Sequence, residues 1–195
     1  MKTQFYFYRL LPICISISMI LVSSCGRYIP TEIENGKLLG IVPVQYSKGA
    51  YIEVRAVPNT SRGEVFRQAR RWAAFNIGDP KLALSLSDNV TGDLITTGSL
   101  LPTQITTKRS VILVPGIDYA ATIECYDNQY RVTLTNFRMN GQVGPHPLEM
   151  RHTSVTIKKQ KEQLKLLDKR AKGILADLAE FIAGEVHPVS TVSER

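Results

Sequence analysis

Three cysteines, three histidines and one tryptophan are few for a chain of 195 residues, and each shortage excludes something. A structural zinc needs four Cys or His ligands at short spacing. His146 and His152 stand six apart in a loop-like stretch, His187 lies near the C-terminus, and no cysteine is close to any of them. These are expected to be solvated loop histidines, with no metal site and no cofactor. No Gly-x-Ser-x-Gly elbow occurs, and no Ser-x-x-Lys stands in a catalytic setting. Gly36-x-x-x-Gly40 lacks the Lys-Ser/Thr that a phosphate-cradling loop requires. No apolar run reaches the roughly 20 residues of a membrane-spanning helix.

What is present begins at the N-terminus. Lys2 and Arg9 give a positive start, and Leu10–Val22 is a 13-residue apolar run broken by Pro12 and serines. Such a run, ending in small residues, reads as a secretion signal. The residues Val22-Ser23-Ser24-Cys25-Gly26 resemble the lipobox of a bacterial lipoprotein. The resemblance implies a diacylglyceryl group on the Cys25 thiol and cleavage before Cys25, so that residues 1–24 are a signal peptide. More than one acyl chain gives stable anchoring, at about 0.8 kcal/mol per buried methylene. Gly26 in place of aspartate argues against inner-membrane retention. No acidic cluster follows Cys25, so the periplasmic face of the outer membrane is the expected location.

The formal charge of the whole chain is +7, and setting Lys2 and Arg9 aside leaves +5. Nucleic acid is not expected as a partner, because an exported lipoprotein does not meet it. Beyond Cys14 and Cys25 only Cys125 remains, so no intramolecular disulfide can form. In an oxidising compartment a lone thiol is best kept in the core, and Cys125 lies in a strand-like apolar context.

Residues 25–49 lack periodicity and carry Pro30, Pro43, Gly36, Gly40 and Gly49, which reads as a tether with short extended pieces. Residues 50–183 read as one domain. Tyr51–Val57 alternates as a strand does. Ser61 and Glu64 have capping-box spacing ahead of a helix through about Asn76. Its apolar face carries Val65, Phe66, Ala69, Trp72 and Ala73. Leu82–Ser87, Leu94–Leu101, Ile105–Val114, Tyr119–Tyr126 and Tyr130–Phe137 read as strands, the last two joined at Asp127-Asn128-Gln129. Tyr119, Ala121, Ile123 and Cys125 share one face; Tyr130, Val132 and Leu134 share one face of the partner. Asn140–Pro147 reads as a Gly/Pro-rich loop. A terminal helix spans about 158–183, and 184–195 reads as a flexible tail. The expected fold class is α+β: an antiparallel sheet in β-α-β-β-β-β-β-α order, with both helices on one face and a polar opposite face.

The helix Glu64–Trp72 with Ala73-Ala74-Phe75, the segment Asp93–Gly98 and the hairpin Thr122–Phe137 resemble DUF4468, a family of uncharacterised lipoproteins common in the Bacteroidetes. Trp72 and the Tyr130-Arg131 pair fill the family's tryptophan and aromatic-Arg places. Gln129 stands where members often show glycine, which implies a wider turn. The resemblance covers residues 50–140 and implies a TBP-like fold and an envelope location. It carries over no catalytic or binding residue, since fold does not imply function.

The acids Glu53, Glu64, Asp79, Asp88, Asp93, Glu124 and Asp127 are scattered. Two of them meeting in a cleft would make a glycosidase-like pair, so a cryptic hydrolase is one alternative. Arg131 has two readings, a recognition residue on the open sheet face or a cross-strand ion pair with Glu124. Over residues 158–172 of the terminal helix Lys158, Lys159, Lys161, Lys165, Lys169, Arg170 and Lys172 face only Glu162 and Asp168, an excess of +5. Cations in a helix's first turn oppose its dipole. Arg131, Lys158, Lys159, Lys161, Lys165 and Lys169 are therefore the candidate binding residues. The expected function is non-enzymatic binding of an envelope protein or anionic polymer. Attachment of the basic helix to an anionic membrane surface is another alternative, and a merely solvated face is the plainest account.

Overall fold

The computed structural model describes residues 27–76, 86–88, 90–106, 111–141 and 144–186. Cys25 and the signal segment lie outside these residues, as does His187. An antiparallel sheet of six strands carries the fold. Its strands are β6 (Tyr51–Ala56), β7 (Leu86–Asp88), β8 (Asp93–Leu100), β11 (Ile117–Tyr126), β12 (Gln129–Gly141) and β13 (Gly144–Pro147). The order is β13-β12-β11-β8-β7, and β6 also pairs with β12. At 13 residues, β12 is long enough to hold two partners along one edge. β6 occupies Gln129–Leu134 and β13 occupies Arg138–Gly141.

Strict alternation along β11 sends Ile117, Tyr119, Ala121, Ile123 and Cys125 inward. On β12 the inward set is Tyr130, Val132, Leu134, Phe137 and Met139. That set skips a beat between Leu134 and Phe137. The pairing passes from Ala120–Thr135 to Asp118–Arg138, so β12 carries one extra residue there. Asn136 sits at that bulge with φ +54°, and Lys48 Nζ donates to its Oδ1 at 3.2 Å. The bulge keeps both halves of a long strand facing one core.

Helix α1 (Arg62–Asn76) packs on the inner face of β8, β11 and β12, and α2 (Ile157–Val186) packs on α1, β4 and β6. Here β4 is Val42–Gln45. Val65, Phe66, Ala69, Trp72 and Ala73 of α1 are buried, as are Leu164, Leu167, Ala171, Leu175, Leu178 and Ile182 of α2. Trp72 Nε1 donates to Asp177 Oδ2 at 2.8 Å, joining the helices. The capping box is half made. The Glu64 amide meets Ser61 Oγ at 3.4 Å, while the Glu64 carboxylate turns to Arg67 and Gln68. Asp127 supplies the missing cap by accepting the Arg62 amide at 2.8 Å.

Five expectations change. Residues 28–49 are no loose tether: β1 (Tyr28–Pro30), β2 (Ile33–Glu34), β3 (Lys37–Leu38), β4 and β5 (Lys48–Gly49) fold onto the domain. Leu38, Leu39 and Val42 enter the core. The third expected strand is a separate hairpin, β9 (Thr103–Thr106) with β10 (Val111–Val114), and the polar Lys108-Arg109-Ser110 lies outside the described residues. Gln129 begins β12, so the hairpin turn is the tight pair Asp127-Asn128, with Asn128 at φ +62°. Asn tolerates this left-handed conformation and replaces the glycine. The loop 140–147 holds β13, which pairs with the overhanging end of β12. Helix α2 continues to Val186, and the rest of the expected tail lies outside the described residues. The fold is α+β, antiparallel, with two helices on one face.

Candidate functional site

A cavity of about 500 Å³ opens where the far end of the sheet meets the first two turns of α2. Four separated stretches build it. Ser99–Pro102 follows β8; Leu113–Asp118 leads from β10 into β11; Met139–Gly141 ends β12; Met150–Val155 runs from β14 (Met150–His152) toward α2. Tyr28, His146, Lys159, Gln160 and Gln163 complete the wall. Its apolar part comes from Leu100, Leu101, Pro102, Leu113, Pro115, Met139, Met150 and Val155. The volume falls in the range of about 300–1,000 Å³ usual for small-molecule sites.

The polar part is ordered. β1 pairs with β14, Tyr28 opposite His152. The Tyr28 ring lies 4.7 Å from the His146 ring and 5.2 Å, edge-on, from the His152 ring. These histidines, expected to be solvated in a loop, are strand residues packed on an aromatic. His152 Nδ1 meets the Ser154 hydroxyl at 2.6 Å and the Ser154 amide at 3.3 Å. The ring's Nε2 is buried and has no partner among the described residues. Gln160, only 3 % exposed, gives its amide nitrogen to Thr31 at 2.8 Å and leaves Oε1 unpaired. Asp118 is the sole carboxylate among the lining residues. It accepts from Ser99 and, at 3.0 Å, from Asn140. With one carboxylate, the cavity lacks the pair a glycosidase-like hydrolase needs.

The basic helix is divided by its surroundings. Lys161 lies 3.9 Å from Glu34, Lys165 2.9 Å from Glu162, and Lys172 2.8 Å from Asp168. Arg170 donates to the Leu101 carbonyl at 2.7 Å and to Thr103, holding the β9–β10 hairpin against α2. Lys158, Lys159 and Lys169 are exposed and have no ion pair among the described residues. Only Lys159 reaches the cavity. Arg131 is far from this group in the fold. Its Nε and Nη2 grip both oxygens of Glu124, the cross-strand partner, at 2.5 Å. That grip holds the Glu124 carboxyl below its usual range.

The sheet face away from the helices is uncovered. Cross-strand register aligns Ile52, Thr133, Thr122 and Ile95 in one row, and Val54, Arg131, Glu124 and Asp93 in the next. Ile52, Val54 and Ile95 are exposed, so this face is more apolar than the expected polar surface. Asp88, Asp93 and Glu124 are neighbours on it, on an open surface instead of a cleft.

Sequence reasoning missed the cavity, with Lys159 alone among its residues singled out beforehand for binding. No local pattern could reveal it, because its walls come from segments more than a hundred residues apart. Elsewhere Cys125 is buried as expected, and burial, with the charge of Asp93, pushes its thiol up to about 12. Tyr51 donates to Asp168 at 3.1 Å from beneath α2. Burial first, then that carboxylate, drives its phenol well above the ordinary value.

Residues 51–140 match the family model of DUF4468, a domain of unknown function with TBP-like fold. The resemblance carried by Trp72 and the Tyr130-Arg131 hairpin holds over that segment. Two solved structures share the fold. A DUF4468 family protein from Bacteroides ovatus ATCC 8483 is 14% identical, with a TM-score of 0.60 over 77% of this chain and 95% of that one. A TBP-like protein from Parabacteroides distasonis ATCC 8503 is 20% identical, with a TM-score of 0.54 over 72% of this chain and 96% of that one. A comparison with curated proteins finds no match.

Proposed function

We propose that this protein is a lipid-anchored binding module of the cell envelope, held through Cys25 on the periplasmic side of the outer membrane and without a catalytic role. The observation that supports the reading is the tie between Arg27 and Thr153, whose amide donates to the Arg27 carbonyl at 2.9 Å. Arg27, two residues after Cys25, is therefore tied to the folded domain. Two residues span at most about 7 Å. An anchor at Cys25 would hold the domain against the bilayer with the Tyr28 end of the cavity and the first turn of α2 close to lipid. The open sheet face would be left for an envelope protein or anionic polymer.

Metabolic labelling with an alkyne fatty acid tests this reading, in the full chain and in Cys25→Ala. The expected result is fatty-acid label on the wild type, with alkali releasing the diacylglyceryl esters and leaving any amide-linked chain, outer-membrane fractionation, and loss of both in the variant. An unlabelled or soluble wild type overturns it. In-cell crosslinking then compares the wild type with a Lys158/Lys159/Lys161/Lys165 charge reversal, which is expected to lose a discrete partner.

A second reading has its own support. Lys158, Lys165, Lys169 and Lys172 fall within about 60° of one another around α2 and span about 21 Å along it. Such a stripe suits an anionic lipid surface. It predicts binding to anionic vesicles that fades as salt rises. Salt-insensitive or absent binding removes it.

A further inference from the structure

We propose that the cavity at the start of α2 holds a single-chain anionic amphiphile, an acyl chain with a carboxylate or phosphate head. The proposal rests on the envelope reading for its source of ligand and on the cavity for its chemistry. Leu100, Leu113, Met139 and Met150 offer the chain an apolar wall within about 500 Å³. Against that wall each methylene removed from water contributes about 0.8 kcal/mol.

The head is specified by the rim. Lys159 is exposed and unpaired among the described residues, and Arg151 lies beside it in the same wall. Helix α2 has no acidic residue in its first turn, where Thr156 Oγ1 accepts the Lys159 amide at 3.3 Å and Lys158 and Lys159 have no ion pair among the described residues. An anion placed there meets the positive end of the helix and Lys159. Two buried atoms of the wall point the same way. His152 Nε2 and Gln160 Oε1 are both buried without a partner among the described residues. Buried polar groups seldom stay unpaired. A head that pairs with the histidine, with a hydroxyl or bound water for the glutamine, completes both.

Position supplies the route. Tyr28 packs on His146 and His152 in the cavity wall and stands three residues after Cys25. A domain anchored there would take its amphiphile directly from the membrane surface.

The test feeds cells expressing the full chain a fatty acid bearing both a diazirine and an alkyne. Illumination is expected to place adducts on peptides covering 99–118 and 139–160, with the mass of the free acid or of a single-chain lysophospholipid that carries it. Lys159→Glu, a surface change, is expected to lower adduct yield about five- to tenfold. Met139→Trp, which fills the cavity, is expected to lower it at least as far, with thermal unfolding recorded to show that the variant folds. Light-dependent adducts absent from these peptides, or unchanged in Lys159→Glu, overturn the proposal. So does a crosslink joining a cavity peptide to the acylated Cys25 peptide, since the occupant would then be the chain's own anchor. Light-independent acylation at Cys25 is read from the same sample. Its absence counts against the anchor alone, and absent cavity adducts beside normal acylation count against the cavity alone.

Discussion

Tyr119 lays its ring over Gly98, its partner on the adjacent strand, so closely that a Cβ on Gly98 would sit 2.4 Å from Cζ and from the hydroxyl oxygen. The glycine makes room for an aromatic that is itself buried. Gly98→Ala is expected to cost about 1–3 kcal/mol, because the ring must leave its place in a packed core. In a Tyr119→Val background the same substitution is expected to be neutral or slightly stabilising. Urea unfolding of the four proteins checks this; equal cost in both backgrounds would show that the ring is not the obstacle.

The Trp72–Asp177 bond links the two helices across a sequence separation of 105 residues. Trp72→Ala is expected to cost about 3–5 kcal/mol, mostly through the cavity it leaves. Asp177 is exposed, so Asp177→Ala should cost about 1 kcal/mol or less. A double-mutant cycle with Trp72→Phe isolates the bond itself, with an expected coupling of about 1 kcal/mol.

Arg131 donates to Glu124 and lies beside its charge, which holds that carboxyl below its usual range. A carboxyl with a depressed folded pKa stabilises the fold above its unfolded value. The contribution fades as the pH falls through the folded value. Wild type is therefore expected to be more stable than Arg131→Ala near neutrality, and the two should converge in acid. Unfolding series at stepped pH read the difference directly. A constant gap across the acid range would mean that Arg131 acts through packing.

Burial, with the charge of Asp93 adding, pushes the Cys125 thiol up to about 12. The folded protein should resist a thiol reagent at mildly alkaline pH and react fully once unfolded by denaturant. Cys125→Ser is expected to cost about 1–3 kcal/mol by burying a hydroxyl without an assigned partner. Rapid labelling of the folded state would place the thiol at the surface.

Legibility followed the range of the interactions. The apolar faces of α1 and α2, and the alternation of β11 and β12, are written at spacings of two to four residues, and there the reading was accurate. Strands of two to four residues, such as β1 to β5 and β13, carry too few side chains for a period to appear. β1 exists because the distant β14 offers it an edge, while β2 to β5 pair with one another and β13 pairs with the neighbouring β12. Asp127 capping Arg62 is similarly invisible, since cap and helix are 65 residues apart. The lysine run was plain in sequence, but its division was not. Glu34, Leu101 and Thr103, which occupy Lys161 and Arg170, come from other parts of the chain.

The union of β1 with β14, sealed by the bond from Gln160 to Thr31 across 129 residues, sets a schedule as well as a shape. A chain made or threaded through a pore from its N-terminus presents Tyr28–Pro30 first and their partners almost last. Until α2 arrives, Leu38 and Val42 have only part of the core that encloses them. The earliest of the described strands is thus the last to be closed, and a chain ending before β14 leaves β1 without its partner.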